Sequence, residues 1–164
     1  MLTTGTGVSE ICAINNHEFL VDERDGKGRE GGNNATSNAA KVKQLFKINL
    51  TGAVDVSGMD GLIAATHAVS KSLFLDIVSV LESQGGIAAN HIPSKIEGVA
   101  FGPDVRLGGA TIHTLWIAND NDFLTVTGDV PPIDNSNQFF VFGVSDADLG
   151  GSQFVRQQFG DFLF

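Results

Sequence analysis

The chain of 164 residues contains one cysteine, one tryptophan and no tyrosine. With Cys12 alone, an intramolecular disulfide and a cysteine-rich zinc site are both excluded. Bases are scarce as well: 10 Lys+Arg stand against 19 Asp+Glu, a net charge of −9. That excludes a general binder of nucleic acid or anionic membrane, because such binding needs clustered Lys and Arg. It suits a cation site. No apolar run approaches the roughly 18–20 residues that cross a bilayer; the longest, 72–81, is broken by Asp76 and Ser79. The opening Met1-Leu2-Thr3-Thr4-Gly5 has neither a basic nor an apolar segment and does not read as a secretion signal. The expectation is a chain that is not exported or one that further sequence precedes.

Several catalytic signatures are also missing. No Gly-x-Ser-x-Gly elbow is present, so the α/β type of serine hydrolase has no nucleophile signature. No Gly-Lys-Ser/Thr phosphate loop occurs. His17, His67, His91 and His113 show no metal-ligand spacing and read as surface or turn residues. Cys12 reads as a small buried hydrophobe and Trp116, between Leu115 and Ile117, as core.

What the chain does hold is a succession of short β-type runs bounded by Gly, Asn, Asp or Pro. Residues 11–14 and 17–23 flank Asn15-Asn16 and read as a hairpin, since Asn tolerates the positive φ of a tight turn. Residues 24–40 are rich in Gly, Asn and Ser and form a loop. Strands are expected over 42–50, 73–77, 99–101, 114–118 and 139–144. Val78 and Leu81 share a helical face, and Gly85-Gly86 supplies a stop, so a short helix is expected over 78–84. The tail after Asp146 has apolar residues without one period and reads as a closing strand or a frayed end. The fold class is therefore all-β, with a sandwich or an open barrel as the plain alternatives. At roughly 40–50 residues for a four-stranded propeller blade, the length would hold about three to four blades.

Three acidic clusters lie at strand ends: Asp22-Glu23-Arg24-Asp25-Gly26, Ile96-Glu97-Gly98 and Asn119-Asp120-Asn121-Asp122. Carboxylates and amide carbonyls that converge from strand ends are the hard oxygen ligands Ca²⁺ takes, six to eight at a time. Taken one at a time, each cluster reads as a turn before it reads as a metal site, because Asp and Asn side chains bond nearby backbone amides. The last is not an EF-hand loop. Residues 119–164 hold seven Asp and one Arg, so the acidic excess falls partly in and after that cluster.

In order along the chain stand five longer motifs. They are residues 19–26 (Phe-Leu-Val-Asp-Glu-Arg-Asp-Gly), 43–50 (Lys-Gln-Leu-Phe-Lys-Ile-Asn-Leu), 71–76 (Lys-Ser-Leu-Phe-Leu-Asp), 95–101 (Lys-Ile-Glu-Gly-Val-Ala-Phe) and 115–123 (Leu-Trp-Ile-Ala-Asn-Asp-Asn-Asp-Phe). Together they resemble the phytase-like domain family, described as having esterase-like activity of phytase, over about residues 8–144. The resemblance implies antiparallel β-propeller-like blades. Residues 8–145 would form a propeller segment incomplete at its N-terminus, and residues 146–164 a tail. It implies Ca²⁺-assisted hydrolysis of phosphate or other esters in an exported, periplasmic or extracellular protein. On this reading Glu23, Glu97, Asp120 and Asn121 would bind the metal, and Glu97, Arg24 and Lys95 would act on the small-molecule ester. A non-catalytic propeller module, or an inactive fragment of a larger exported protein, is the alternative. Open strand edges would also allow self-association.

Overall fold

Alternation along Glu18–Arg24 sends Leu20 and Asp22 to one side and Val21 and Glu23 to the other, and this strand organises the first half of the protein. The computed structural model of the chain describes residues 5–29, 38–126 and 134–157. Strands β1 (Gly7–Ala13), β2 (Glu18–Arg24), β3 (Lys43–Asn49) and β4 (Lys71–Asp76) form an antiparallel meander in that spatial order. A second antiparallel sheet holds β5 (Ile96–Phe101), β7 (Ala110–Asn119) and β8 (Phe139–Val144), with β7 between the other two. A short strand β6 (Val105–Leu107) pairs with the start of β7 through a Gly108-Gly109 turn, both glycines at positive φ. Helix α1 (Gly61–Ala64) and α2 (Ile77–Ser83) complete the elements used below.

The described residues are thus mostly β, with two antiparallel sheets and two short α-helices. The described residues make two sheets, whereas the length arithmetic anticipated about three to four four-stranded units. The difference lies in the connections. Residues 50–70 between β3 and β4 carry turns and short helix rather than strand, and residues 84–95 carry turns only. The tail does not form a strand over residues 146–157; residues 158–164 and the Val130-Pro131-Pro132 breaker lie outside the described residues.

The core lies between the sheets. Leu20 and Leu45 from the first sheet meet Ile96, Leu115 and Ile117 from the second, with Ile77 and Leu81 of α2 closing one side. Each such side chain contributes about 1.5–3 kcal/mol when fully buried. Helix α2 starts where Asp76 caps it, its carboxylate accepting from the Ser79 N–H at 3.0 Å. The tail fastens the stack: Val155 N–H donates to Ile14 O (2.9 Å), and Lys47 Nζ donates to Leu149 O (2.8 Å) and Ser152 Oγ (2.9 Å).

Two local expectations change. Asn15 and Asn16 do turn β1 into β2, but neither stands among the residues of positive φ. Asn15 Oδ1 instead accepts from the backbone N–H of His17 (3.1 Å) and Glu18 (2.9 Å), an Asx turn made by a side chain. Trp116 is 40% exposed rather than core, because register places it on the outer face of the second sheet, opposite Val141.

Candidate functional site

Antiparallel pairing brings four strand ends to one end of the two sheets: the finish of β2, the starts of β3 and β5, and the finish of β7. Arg24 ends β2 and pairs across with Lys43 at the start of β3. Glu97 sits at a bulge near the start of β5, where Ile96 pairs with Asn119 and Gly98 with Ala118. Asp120 follows directly, its N–H donating to Lys95 O at 3.0 Å.

Across the junction of the sheets, the Arg24 guanidinium donates through Nη2 to Glu97 Oε1, while its Nε donates to Ser9 Oγ at 2.8 Å. Below this pair lies Asp22, 1% exposed, on the same face of β2 as Arg24. Neither of its carboxylate oxygens has a hydrogen-bond partner. Burial pushes its pKa up to about 7, against the pull of Arg24 and Lys43; Glu10 and Glu97 add to the rise.

Lys43 is fully buried, and its Nζ lies within hydrogen-bond distance of four oxygens: Asp25 O and Oδ1 (both 2.7 Å), Ser94 O (2.8 Å) and Lys27 O (2.9 Å). Burial lowers its pKa, and the Asp25 carboxylate opposes that. One ammonium therefore ties the loop after β2 to the segment before β5. Gly28 makes the approach possible: it has φ +127°, and a Cβ there would lie 2.4 Å from Ile92 O.

The remaining expected site residues are placed as follows. Lys95 pairs with Asp122 at the rim of the same end, and that contact raises its pKa. Asp120 Oδ1 accepts from the Asp122 N–H at 2.9 Å. Asn121 donates to Asn135 O (3.1 Å) and accepts from the Phe123 N–H (3.1 Å). Glu23 points to the other face of the first sheet, paired with Lys71, whose ammonium sits 4.0 Å from the centroid of the Phe46 ring. The structure therefore unites Arg24 with Glu97, and Lys95 with the Asp120–Asp122 turn, but leaves Glu23 apart.

Calcium would need a shell of six to eight oxygens. Among the described residues, no group of three or more His, Cys, Asp or Glu side chains is arranged to hold a metal ion. As placed, Glu23, Glu97, Asp120 and Asn121 do not form such a shell.

Sequence reasoning passed over Asp22 and Lys43 as site residues. A signal for both was present: each occupies a position that alternation assigns to the same face as Leu20 and Leu45. It also placed His113 at the surface or in a turn. His113 is instead buried on β7, with Nδ1 2.9 Å from Asp104 Oδ1 and Nε2 3.0 Å from Asp146 Oδ1. Burial lowers its pKa, but the two carboxylates outweigh that and the net direction is upward. Arg156 reaches Asp104 as well, at 2.7 Å, and the Phe154 ring lies 4.3 Å from the imidazole. This clamp occupies the opposite end of the second sheet from Glu97.

At the shared end, the arrangement offers an arginine fork, a carboxylate held by it, and a second lysine at the rim. An anion or a polarised oxygen can compete with Glu97 for the guanidinium, which is the elementary step of anion capture by an ion pair. The family model described as phytase-like, esterase-like activity of phytase, matches residues 2–123. No curated protein and no solved structure matches the chain.

Proposed function

Because the chain belongs to the phytase-like family, we propose that it hydrolyses phosphate or other esters at the shared end of its two sheets. The observation that carries this reading is the Arg24–Glu97 pair across the sheet junction, with Asp22 buried beneath it. A phosphoryl or acyl oxygen arriving there takes the Arg24 fork from Glu97. The freed Glu97 carboxylate accepts a proton from water as a general base. The water oxygen bonds to phosphorus or acyl carbon, the bond to the leaving oxygen breaks, and that oxygen takes the proton from Glu97. Lys95 swings from Asp122 to add positive charge near the developing anion. Asp22 does not reach solvent; it is a positioning residue under Arg24.

On the same reading the two meanders are neighbouring blades of a propeller-like ring, with β1 and β5 as the inner strands, in a periplasmic or extracellular protein. Calcium is a ligand to be tested, and the steps above use only this chain's own residues.

One observation favours a non-catalytic binding module instead. A cavity of about 350 Å³ lies between β1 and β5, lined by Cys12, Phe101 and Phe154 among others, and one of about 670 Å³ lies between α2 and β8. Neither includes Arg24 or Glu97 in its lining. Assay of p-nitrophenyl phosphate and p-nitrophenyl acetate, with and without Ca²⁺, separates the two. The hydrolase reading expects turnover of at least one ester, lowered about 10²-fold or more in Glu97→Gln. No turnover of either ester under any condition favours the binding module.

A further inference from the structure

Two bulges, one from each sheet, converge on the Arg24 guanidinium. In the pairing of β1 with β2, Val8 stands opposite Glu23 and Glu10 opposite Asp22, so Ser9 is an extra residue in the ladder. Glu97 is the extra residue of the second bulge, between Ile96 and Gly98 on β5. A bulge takes one side chain out of the regular alternation and re-aims it. Here both re-aimed side chains end on one group: Arg24 donates from Nε to Ser9 Oγ at 2.8 Å and from Nη2 to Glu97 Oε1.

Nε and Nη2 belong to one planar guanidinium, so the hydroxyl and the carboxylate occupy adjacent donors of the same group. Ser9 Oγ is the acceptor in its bond, and among the described residues its own proton goes to no acceptor. Neighbouring carboxylates do not take it: Glu10 accepts from the Ile11 N–H at 2.8 Å, and both oxygens of Asp22 are without a partner. Solvent reaches the group, with the Arg24 and Glu97 side chains 18% and 32% exposed and Ser9 partly exposed. A hydroxyl with a proton to give therefore stands beside the one bond that an incoming oxygen replaces.

We propose that Ser9 is a second donor to the ester oxygen that Arg24 captures. The inference rests on the hydrolase reading above and adds a residue to it. When the ester oxygen takes the place of Glu97 on Nη2, Ser9 stays on Nε and holds the guanidinium plane. It then turns its hydroxyl proton to the same oxygen, which two donors now share. No covalent bond is made or broken at Ser9. In a carboxylic ester the carbonyl oxygen turns negative as water adds, and both hydrogen bonds strengthen with it. In a phosphoric ester the oxygen is charged from the start, and the same two donors hold it. Loss of the Ser9 donor therefore affects either ester, whereas loss of the Arg24 fork affects the phosphate most.

Steady-state kinetics of Ser9→Ala and Ser9→Thr on p-nitrophenyl phosphate and p-nitrophenyl acetate test this. For each ester that the wild type hydrolyses, kcat/KM is expected to fall by about 10²-fold in Ser9→Ala. Ser9→Thr, which keeps the hydroxyl, is expected to recover most of that loss. Ser9→Cys, close in size but a weak donor, replaces Ser9→Ala if that variant melts without a cooperative transition, and is expected to show the same fall. Wild-type kcat/KM in Ser9→Ala, or a Ser9→Thr as slow as Ser9→Ala, overturns the Ser9 donor while the hydrolase reading stands. A wild type that turns over neither ester overturns the hydrolase reading, and the Ser9 donor with it.

Discussion

Asp22 concentrates the cost of the site in one side chain. Its carboxyl is buried with neither oxygen hydrogen-bonded, and its pKa rises from 3.8 to about 7. A carboxyl that binds its proton more tightly when folded makes the protein less stable as pH climbs through that window. The penalty is absent below about pH 4, grows between the two values, and is complete above about pH 7, at no more than about 4 kcal/mol. Asp22→Asn is therefore expected to raise the melting temperature at pH 8 and to leave it nearly unchanged at pH 4, as followed by circular dichroism. Lys43 is the opposite case, a buried ammonium that holds four oxygens. Lys43→Met leaves the Asp25 carboxylate buried without its cation and is expected to cost about 3–5 kcal/mol in a urea melt. Neither role was legible from residue type alone. Asp in a turn motif and Lys in a strand motif are ordinary; only the two-residue period, read against Leu20 and Leu45, marks them as facing inward.

At the scale of elements, much more was legible. The period-two pattern and turn residues located β3, β7 and β8, and Phe139–Val144 has the bounds the sequence reading anticipated. The spacing of Val78 and Leu81 located α2, whose buried residues are Ile77, Val78 and Leu81. Strand β6 was missed because a three-residue strand with every residue exposed carries no hydrophobic period. Of the β2–β3 connection, expected to be a loop, the described residues 25–29 and 38–42 form no strand, and residues 25–29 are docked, which the sequence did not signal. Its docking depends on Gly28, where an added Cβ would meet the backbone of residues 92–94 in a conformation L-residues avoid. Gly28→Ala is expected to destabilise by about 2–4 kcal/mol. Gly26→Ala, which meets nothing within 4 Å, serves as the neutral control in the same thermal melt.

For the whole molecule, the acidic balance that first suggested a cation site has a more specific reading. Several carboxylates are committed to partners inside the protein: Glu97 to Arg24, Asp122 to Lys95, Asp25 to Lys43, and Asp104 to His113 and Arg156. The candidate site is thus built around one ion pair across the two sheets, Arg24–Glu97, a property of tertiary pairing that motif order signals only through family resemblance. In the proposed reaction Arg24 captures the oxygen of the ester, most tightly that of an anionic phosphate, and releases Glu97. The kinetics of Arg24→Lys on p-nitrophenyl phosphate and on neutral p-nitrophenyl acetate, each relative to wild type, test it most directly. For this capture, kcat/KM for the phosphate is expected to fall by about 10²-fold while that for the neutral ester falls far less, because lysine cannot supply the bidentate fork to the phosphate's charged oxygens. An equal fall for both esters, or no fall for the phosphate, would contradict it.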